Sequence, residues 1–390
     1  MLLLRTCAVV ASWAQPPYLS VNTAGNQVFR YLEGGYNCTR IPTVILAGSS
    51  TLLAFAEGRN WVGDECVPFP GPGAPATYHV GIDAKGHTDT VMKRSTNGGR
   101  DWSALAVVAS GSWCPTAVWD AQRRRVVLQY SLYTDDSVWQ AISTDLGRTF
   151  GPPLNVSAQL PAGRAHMLGG TGHSALQLSL NHRHFPARLL WIGHLYAPGS
   201  DPRDASEYCW WSDDGGATFG AGASMGVRLN EASLTELPGT GEVYANLRSD
   251  AANTRMVARS TDGGASFTAP TEDLALTNGQ CEASVLRVHN LVLFANPATY
   301  LTGGGHRCNG TLRVSIDGAR TWLGRTIPLG IAPLQAFAYS SLTHTMNESE
   351  VGVLFETGAE TVKHANGSKS GCYGTGCQIR YRTVSIGGFV

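Results

Sequence analysis

The octapeptide STDGGASF at residues 260–267 has four relatives in the same 390-residue chain. STDLGRTF stands at 143–150, SDDGGATF at 212–219, STNGGRDW at 95–102 and SIDGARTW at 315–322. The shared pattern is Ser-x-Asp-x-Gly-x-x-Trp or Phe. Its physical logic is that of a stapled hairpin. The aspartate side chain accepts from backbone N–H groups further along the turn, and the serine adds a second local bond. The glycine supplies the left-handed backbone that other residues resist, and the aromatic packs back beneath the turn. Asn97 in place of Asp is a mild change. Ala319 in place of Gly puts that turn under strain. Because the carboxylates are committed to their own backbone, the phrase is structural and carries no chemistry.

Its starts are separated by 48, 69, 48 and 55 residues, the length of a four-stranded propeller blade. Short apolar or alternating runs lie between the copies: TVILAG, LLAFAEG, RVVLQYSLY, RLLWIGHLY, EVYANLR, LVLFANP, VGVLFETG and RYRTVSI. Gly, Pro, Asp and Asn clusters bound them, the pattern of many short antiparallel strands. Helical periodicity is scarce. No Pro/Ser linker or charge run divides the chain, so residues 20–390 read as a single all-β domain.

Hydrophobic residues make up 43% of the chain and charged residues 15%, enough for a large core. Lys plus Arg equals Asp plus Glu, so the formal charge gives no reason to expect a nucleic-acid partner. The N-terminal MLLLRTCAVVASWA, residues 1–14, reads as a secretory signal peptide ending at a small-residue site. No other stretch is apolar enough to span a membrane. Sequons at Asn37, Asn155, Asn309, Asn347 and Asn366 agree with export. Of the nine cysteines, Cys7 leaves with the signal. The remaining eight suit disulfides, with Cys372–Cys377 and Cys38–Cys66 as the expected pairs, or several buried thiols instead.

Further segments complete a resemblance. TRIPTVI, then LLAFAEGR, then NEASLTELPGTGEVYANLR, FANPATYLTGGGHRCNGTLRVSIDGARTW, AYSSLT and VGVLFETG follow one another from residue 36 to the C-terminus. In that order they resemble the sialidase family, whose Asp-box the repeated phrase matches, in the flavour of its lysosomal and secreted bacterial members. The resemblance implies a six-bladed β-propeller with its site at the centre of one face. It implies retaining hydrolysis of terminal sialic acid from glycans, with no cofactor and no metal, by a secreted or lysosomal enzyme. The same frame would serve a non-catalytic glycan- or protein-binding propeller, or a trans-sialidase.

The chemistry explains the residue types. A sialic acid carries a carboxylate on its anomeric carbon, and fork-shaped, permanently charged arginines suit it better than lysines. The resemblance assigns Arg40, Arg248 and Arg307 to this role, with Arg313 a rival for the third. An anionic nucleophile would be repelled by that carboxylate, and sialidases use a tyrosine instead. Here it would be Tyr339, activated by Glu231, with Glu236 as the alternative base. The acid that protonates the leaving oxygen would be Asp83, with Asp89 and Asp64 as rivals. Glu356 would hold Arg40 in place, and Arg59 would lie near the carboxylate or the acid. His182 and His184 are spaced like a metal pair, but no further ligands accompany them. The arginine run at 123–125 reads as a hairpin turn, and GGTGH at 169–173 lacks the strand-to-helix setting of a phosphate loop.

Overall fold

The computed structural model describes residues 25–30, 33–36, 38–60, 88–132, 134–160, 165–168, 174–196, 204–299, 307–330, 336–358, 362–363, 369–370 and 378–389. Residues 1–14, Asp64, Cys66, Asp83, GGTGH at 169–173, Cys372, Cys377, Asn37 and Asn366 lie outside them.

Among the described residues the strands form seven antiparallel sheets: six are the blades of a β-propeller, and the seventh pairs Val362–Lys363 with Lys369–Ser370. Blade one contains Cys38–Ala47, Thr51–Arg59, Thr88–Ser95 and Ala106–Ala109, and blade two Ser112–Asp120, Arg125–Leu132, Val138–Ser143 and Leu154–Asn155. In blade three, Ala165–Leu168 and Ala175–Gln177 both pair with Leu189–Tyr196, followed by Ser206–Ser212 and Gly220–Ala221. Blade four is Leu229–Glu236, Val243–Ser249, Thr254–Ser260 and Thr271–Thr277, and blade five Ser284–Val288, Leu291–Pro297, Gly310–Ser315 and Ile327–Pro328. Blade six takes Ala338–His344, Glu350–Thr357 and Gln378–Ser385 from the C-terminal part and its outer strand, Asn26–Phe29, from the N-terminal part. The first strands of successive blades touch, and that of blade six touches that of blade one, closing the ring. Each blade is covered on both faces by its neighbours. That is why strands such as Thr51–Arg59 are buried throughout and read as apolar runs rather than a clean alternation.

The repeated phrase occupies one place in five blades, the turn from third to fourth strand. Its bonds recur. Asp145 Oδ1 accepts from the backbone N–H groups of Arg148 and Thr149 at 2.9 Å, and its Oδ2 accepts the Thr149 hydroxyl at 2.6 Å. Asp214, Asp262 and Asp317 do the same with Thr218, Ser266 and Thr321. These bonds outweigh the effect of burial and hold the four carboxyls below the usual aspartate range, Asp317 at about 2. The Asn97 copy shows a compensated swap. Its Oδ1 accepts the N–H of Asp101 at 3.0 Å and its Nδ2 donates to the Asp101 carboxylate at 2.8 Å. Where the seventh residue of the phrase is an acid, Asp101, an amide replaces the aspartate that would repel it. Ala319 keeps the turn too: its φ is 56° and its N–H donates to Ser315 Oγ at 2.9 Å.

Blade six has no copy because its fourth strand comes from the other end of the chain, so no turn joins it to the third. The phrase also reaches further than its own turn. Trp102, Phe150, Phe219, Phe267 and Trp322 each plug the apolar cleft between their blade and the preceding one. In the cleft between blades five and six, Phe389 near the C-terminus packs against the core. Arginines of the preceding blade grip the turn carbonyls: Arg94 on Leu146, Arg125 on Gly215, Arg188 on Gly263 and Arg259 on Gly318. Asn26, on the closing strand, does this for Gly99 at 2.6 Å. The arginine run at 123–125 is thus a hairpin turn whose cations fasten blade two to blade three.

Candidate active site

The first strand of each blade starts at the end of the ring opposite the Asp-boxes, because the third strand runs in the same sense and the boxes follow it. At those starts four of the first strands carry a β-bulge. Register shifts lie between Arg40 and Thr43, Trp113 and Thr116, Asn230 and Ala232, and Ala338 and Ser340. In each, one residue takes positive φ: Ile41 at 54°, Cys114 at 50°, Glu231 at 30° and Tyr339 at 38°. Such a backbone is costly for a residue with a side chain, and bulges re-aim side chains beside functional sites. Two of the bulged residues are the expected nucleophile and its base.

The strain converges on one cluster. The Tyr339 hydroxyl donates to Glu231 Oε1 at 2.5 Å. Arg248 donates to the other oxygen of Glu231 at 2.5 Å. The guanidinium of Arg40 lies 4.7 Å from the Tyr339 ring centroid and that of Arg307 at 5.1 Å. Arg40 is fixed from behind by Glu356, with contacts of 3.0–3.3 Å, and the same carboxylate accepts the Ile41 N–H at 2.8 Å. Both members of that pair are almost wholly buried, 1% and 0% exposed. Arg307 donates to the carbonyl of Gln280 at 3.0 Å. The structure therefore brings Arg40, Arg248, Arg307, Glu231, Tyr339 and Glu356 together from blades one, four, five and six.

The electrostatics follow from burial and from these neighbours. Burial alone raises the Glu231 carboxyl, but Arg248, the Tyr339 hydroxyl and Arg307 outweigh it and hold the group below its usual range. Burial, then the Glu231 charge, pushes the Tyr339 hydroxyl well above its ordinary value against the pull of Arg307, Arg248 and Arg40. At neutral pH the pair is a phenol donating to a carboxylate. Arg40, Arg248 and Arg307 face Glu231 and Glu356, with Asp250 3.8 Å from Arg248 Nε.

The sequence alternatives are placed elsewhere. Glu236 binds the backbone and hydroxyl of Ser179 and pairs with Arg287. Asp89 accepts from the Tyr36 hydroxyl at 2.6 Å and the Gly111 N–H at 2.9 Å. Arg313 faces Asp273, not the cluster. His182 uses Nδ1 to accept two backbone N–H groups and Nε2 to meet the Gly241 carbonyl, which makes it a turn staple. Among the described residues no group of His, Cys, Asp and Glu could hold a metal ion, and no helix is long and apolar enough to cross a membrane. Cys38 is disulfide-bonded, its partner lying outside the described residues, and Cys114, Cys209 and Cys281 are buried thiols.

Sequence reasoning missed Glu57. It binds Arg59 at 2.6–2.7 Å and caps the bulge of blade two through the Cys114 N–H at 2.7 Å. It repeats what Glu356 does for Arg40 and the bulge of blade one. The equivalence lies in the register rather than in a sequence match: Glu57 stands opposite Arg40 and Glu356 opposite Ala338, each just before the bulge of its first strand.

The family model described as BNR repeat-like domain matches residues 78–353. A sialidase of Micromonospora viridifaciens is 26% identical over 371 residues, which cover 85% of this chain and 52% of that protein, so the chain spans about half its length. The structure of the Hadza microbial sialidase Hz136 superposes with a TM-score of 0.68 at 18% identity, covering 92% of this chain and 68% of that one. The leech intramolecular trans-sialidase superposes with a TM-score of 0.67 at 14% identity over 93% and 70%. The chain belongs to the BNR repeat-like domain family, and its fold is similar to that of the sialidase and trans-sialidase structures it superposes on.

Proposed function

We propose that this protein is a retaining exo-α-sialidase that releases terminal sialic acid from glycoproteins, glycolipids or oligosaccharides. The observation that carries the reading is the Tyr339–Glu231 contact of 2.5 Å set among Arg40, Arg248 and Arg307. A protein that only bound sialic acid would need the arginines but not a buried phenol paired to a carboxylate on two strained bulges.

In the proposed reaction the three arginines hold the substrate carboxylate by charge-assisted bonds. Glu231 takes the Tyr339 proton, and the phenolate oxygen bonds to the anomeric carbon as the glycosidic bond breaks. Asp83, by family resemblance, gives its proton to the leaving oxygen. Water, deprotonated by the same acid, then displaces the tyrosine, which regains its proton from Glu231. Two displacements on one carbon return the original anomeric configuration. Arg40, Arg248 and Arg307 oppose the cost of the phenolate, and Glu356 and Glu57 keep Arg40 and Arg59 oriented.

The test is hydrolysis of a fluorogenic α-sialoside by the purified, folded protein from acid to neutral pH. Turnover lost in Tyr339→Phe supports the reading. No turnover by the wild-type chain would reject it. Secretion or a lysosomal location belongs to the same proposal, supported by the exposure of the sequon residues Asn155, Asn309 and Asn347. A mass shift on removal of N-glycans from the protein made by a secretory host tests it.

A further inference from the structure

The segment Asn278–Glu282, just ahead of the first strand of blade five, meets the cluster at Arg307 and Tyr339 and binds the residue next to Arg248. Asn278 Nδ2 donates to the carbonyl of Ser249, the neighbour of Arg248, at 2.6 Å. The Gln280 carbonyl receives Arg307 at 3.0 Å. Cys281 Sγ accepts the N–H of Tyr339 at 3.4 Å, and Glu282 Oε2 accepts the N–H of Ser340 at 2.8 Å. The whole segment is anchored by the fully buried Arg255, which donates to Asn278 Oδ1 and to the Cys281 carbonyl.

Tyr339 sits on a bulge at φ 38°. A bulge frees backbone donors from the ladder, and a buried donor without an acceptor is expensive. At this bulge, where the register between Ala338 and Ser340 shifts, the N–H groups of Tyr339 and Ser340 are received by side chains of another blade. Both acceptors come from consecutive residues, Cys281 and Glu282. We propose that Glu282 is the positioning residue of the nucleophile: through Ser340 it sets the bulge that holds the Tyr339 hydroxyl against Glu231. This rests on the sialidase reading of the site.

The state of Glu282 fits the task. Its side chain is fully buried, and one neutral N–H is a poor return for an ionised carboxylate taken out of water. Its second oxygen finds no hydrogen-bond partner among the described residues. Burial, then the Glu231 charge, pushes its carboxyl well above the usual range, with Arg255 opposing and Glu356 adding to the rise. As a neutral acid it supplies an acceptor under Ser340 without placing a second negative charge beneath Glu231. A glutamine amide supplies the same neutral carbonyl.

The experiment compares Glu282→Gln with Glu282→Leu, which fills the space but removes the acceptor. Glu282→Gln is expected to keep kcat, KM and the pH–rate profile within about twofold of wild type. Glu282→Leu is expected to lose about 100-fold in kcat, the effect of misplacing a reacting group by about 1 Å, with KM changed little because the arginines remain. Crystal structures of both give a readout independent of activity. The Tyr339–Glu231 hydrogen bond should persist in Glu282→Gln and be broken in Glu282→Leu. A Glu282→Gln protein with a shifted pH profile or a large loss of kcat would overturn the proposal, as would an intact Tyr339–Glu231 bond in Glu282→Leu. Should Glu282→Leu not fold, the Gln variant alone decides. If wild type turns over no sialoside, the functional reading fails while the structural comparison still judges the positioning role.

Discussion

Glu356→Ala removes a carboxylate that accepts from three donors. Arg40 Nε, Arg40 Nη2 and the Ile41 N–H all point at that carboxylate, and the pair is buried to 1% and 0%. Breaking a buried pair by deleting one partner costs about 3–5 kcal/mol, because the remaining charge stays in the interior. At the usual entropy of unfolding per residue, a chain of this length has a melting entropy of roughly 0.8 kcal/mol/K. The expected loss in Tm is then about 4–6 °C. Glu356→Gln keeps an acceptor but not the charge and should lie between the two. The assay is differential scanning calorimetry of the three proteins in one buffer, with sialoside kinetics beside it. Arg40 is also released from its orientation, so KM should rise in the Ala variant. A fall in Tm below about 1 °C would refute the reasoning, since a pair worth so little cannot be what fixes Arg40.

Other outcomes follow from the same geometry. Asn97→Asp sets two carboxylates at the 2.8 Å contact now made by an amide and should destabilise blade one by about 1–2 kcal/mol. Adding Asp101→Thr restores the pairing of the other boxes and should recover most of the loss; a double variant no better than the single one would contradict the repeat logic. Glu231 is held below the usual carboxylate range, so it adds stability that is present above about pH 4.3 and is lost as pH falls through its folded value. Glu231→Gln should flatten that acid loss in equilibrium unfolding. Tyr339 is raised, so its contribution is full below about pH 10 and is lost as pH climbs toward its folded value. Removing Glu231 should lower the pH at which Tyr339 ionises, read by ultraviolet difference against Tyr339→Phe; an unmoved titration would deny their coupling. Arg307→Lys should raise KM at least tenfold and Arg313→Lys should not, because only Arg307 faces the Tyr339 ring; the reverse result would exchange their roles.

Much of the architecture was legible because it is local. Each Asp-box binds its own backbone, so the motif announces its turn wherever it stands, and its spacing measures the blades. The count of blades came from the family resemblance, since the chain shows five boxes for six blades and only the pairing of Asn26–Phe29 with Gln378–Ser385 explains the shortfall. The aromatic of the box was read as packing beneath its own turn. It also seals the cleft toward the preceding blade, a long-range contact that a local motif cannot reveal. Arg40, Arg248, Glu231 and Tyr339 were legible because their segments match a family in order. What the residues hide is the backbone: nothing in NEASL or AYSSL announces a bulge with positive φ at Glu231 or Tyr339. The acceptors Cys281 and Glu282 were equally hidden, since they act across 58 residues on main-chain donors. Asp83 lies outside the described residues and rests on the resemblance.

The central claim is that Tyr339 becomes covalently bonded to the sugar. It is tested most directly by trapping the intermediate with a 3-fluorinated sialosyl fluoride, digesting the protein and locating the adduct by mass spectrometry. The account predicts one sialosyl group on Tyr339 in the wild type and none in Tyr339→Phe. An adduct on another residue, or turnover with inverted anomeric configuration, would contradict it.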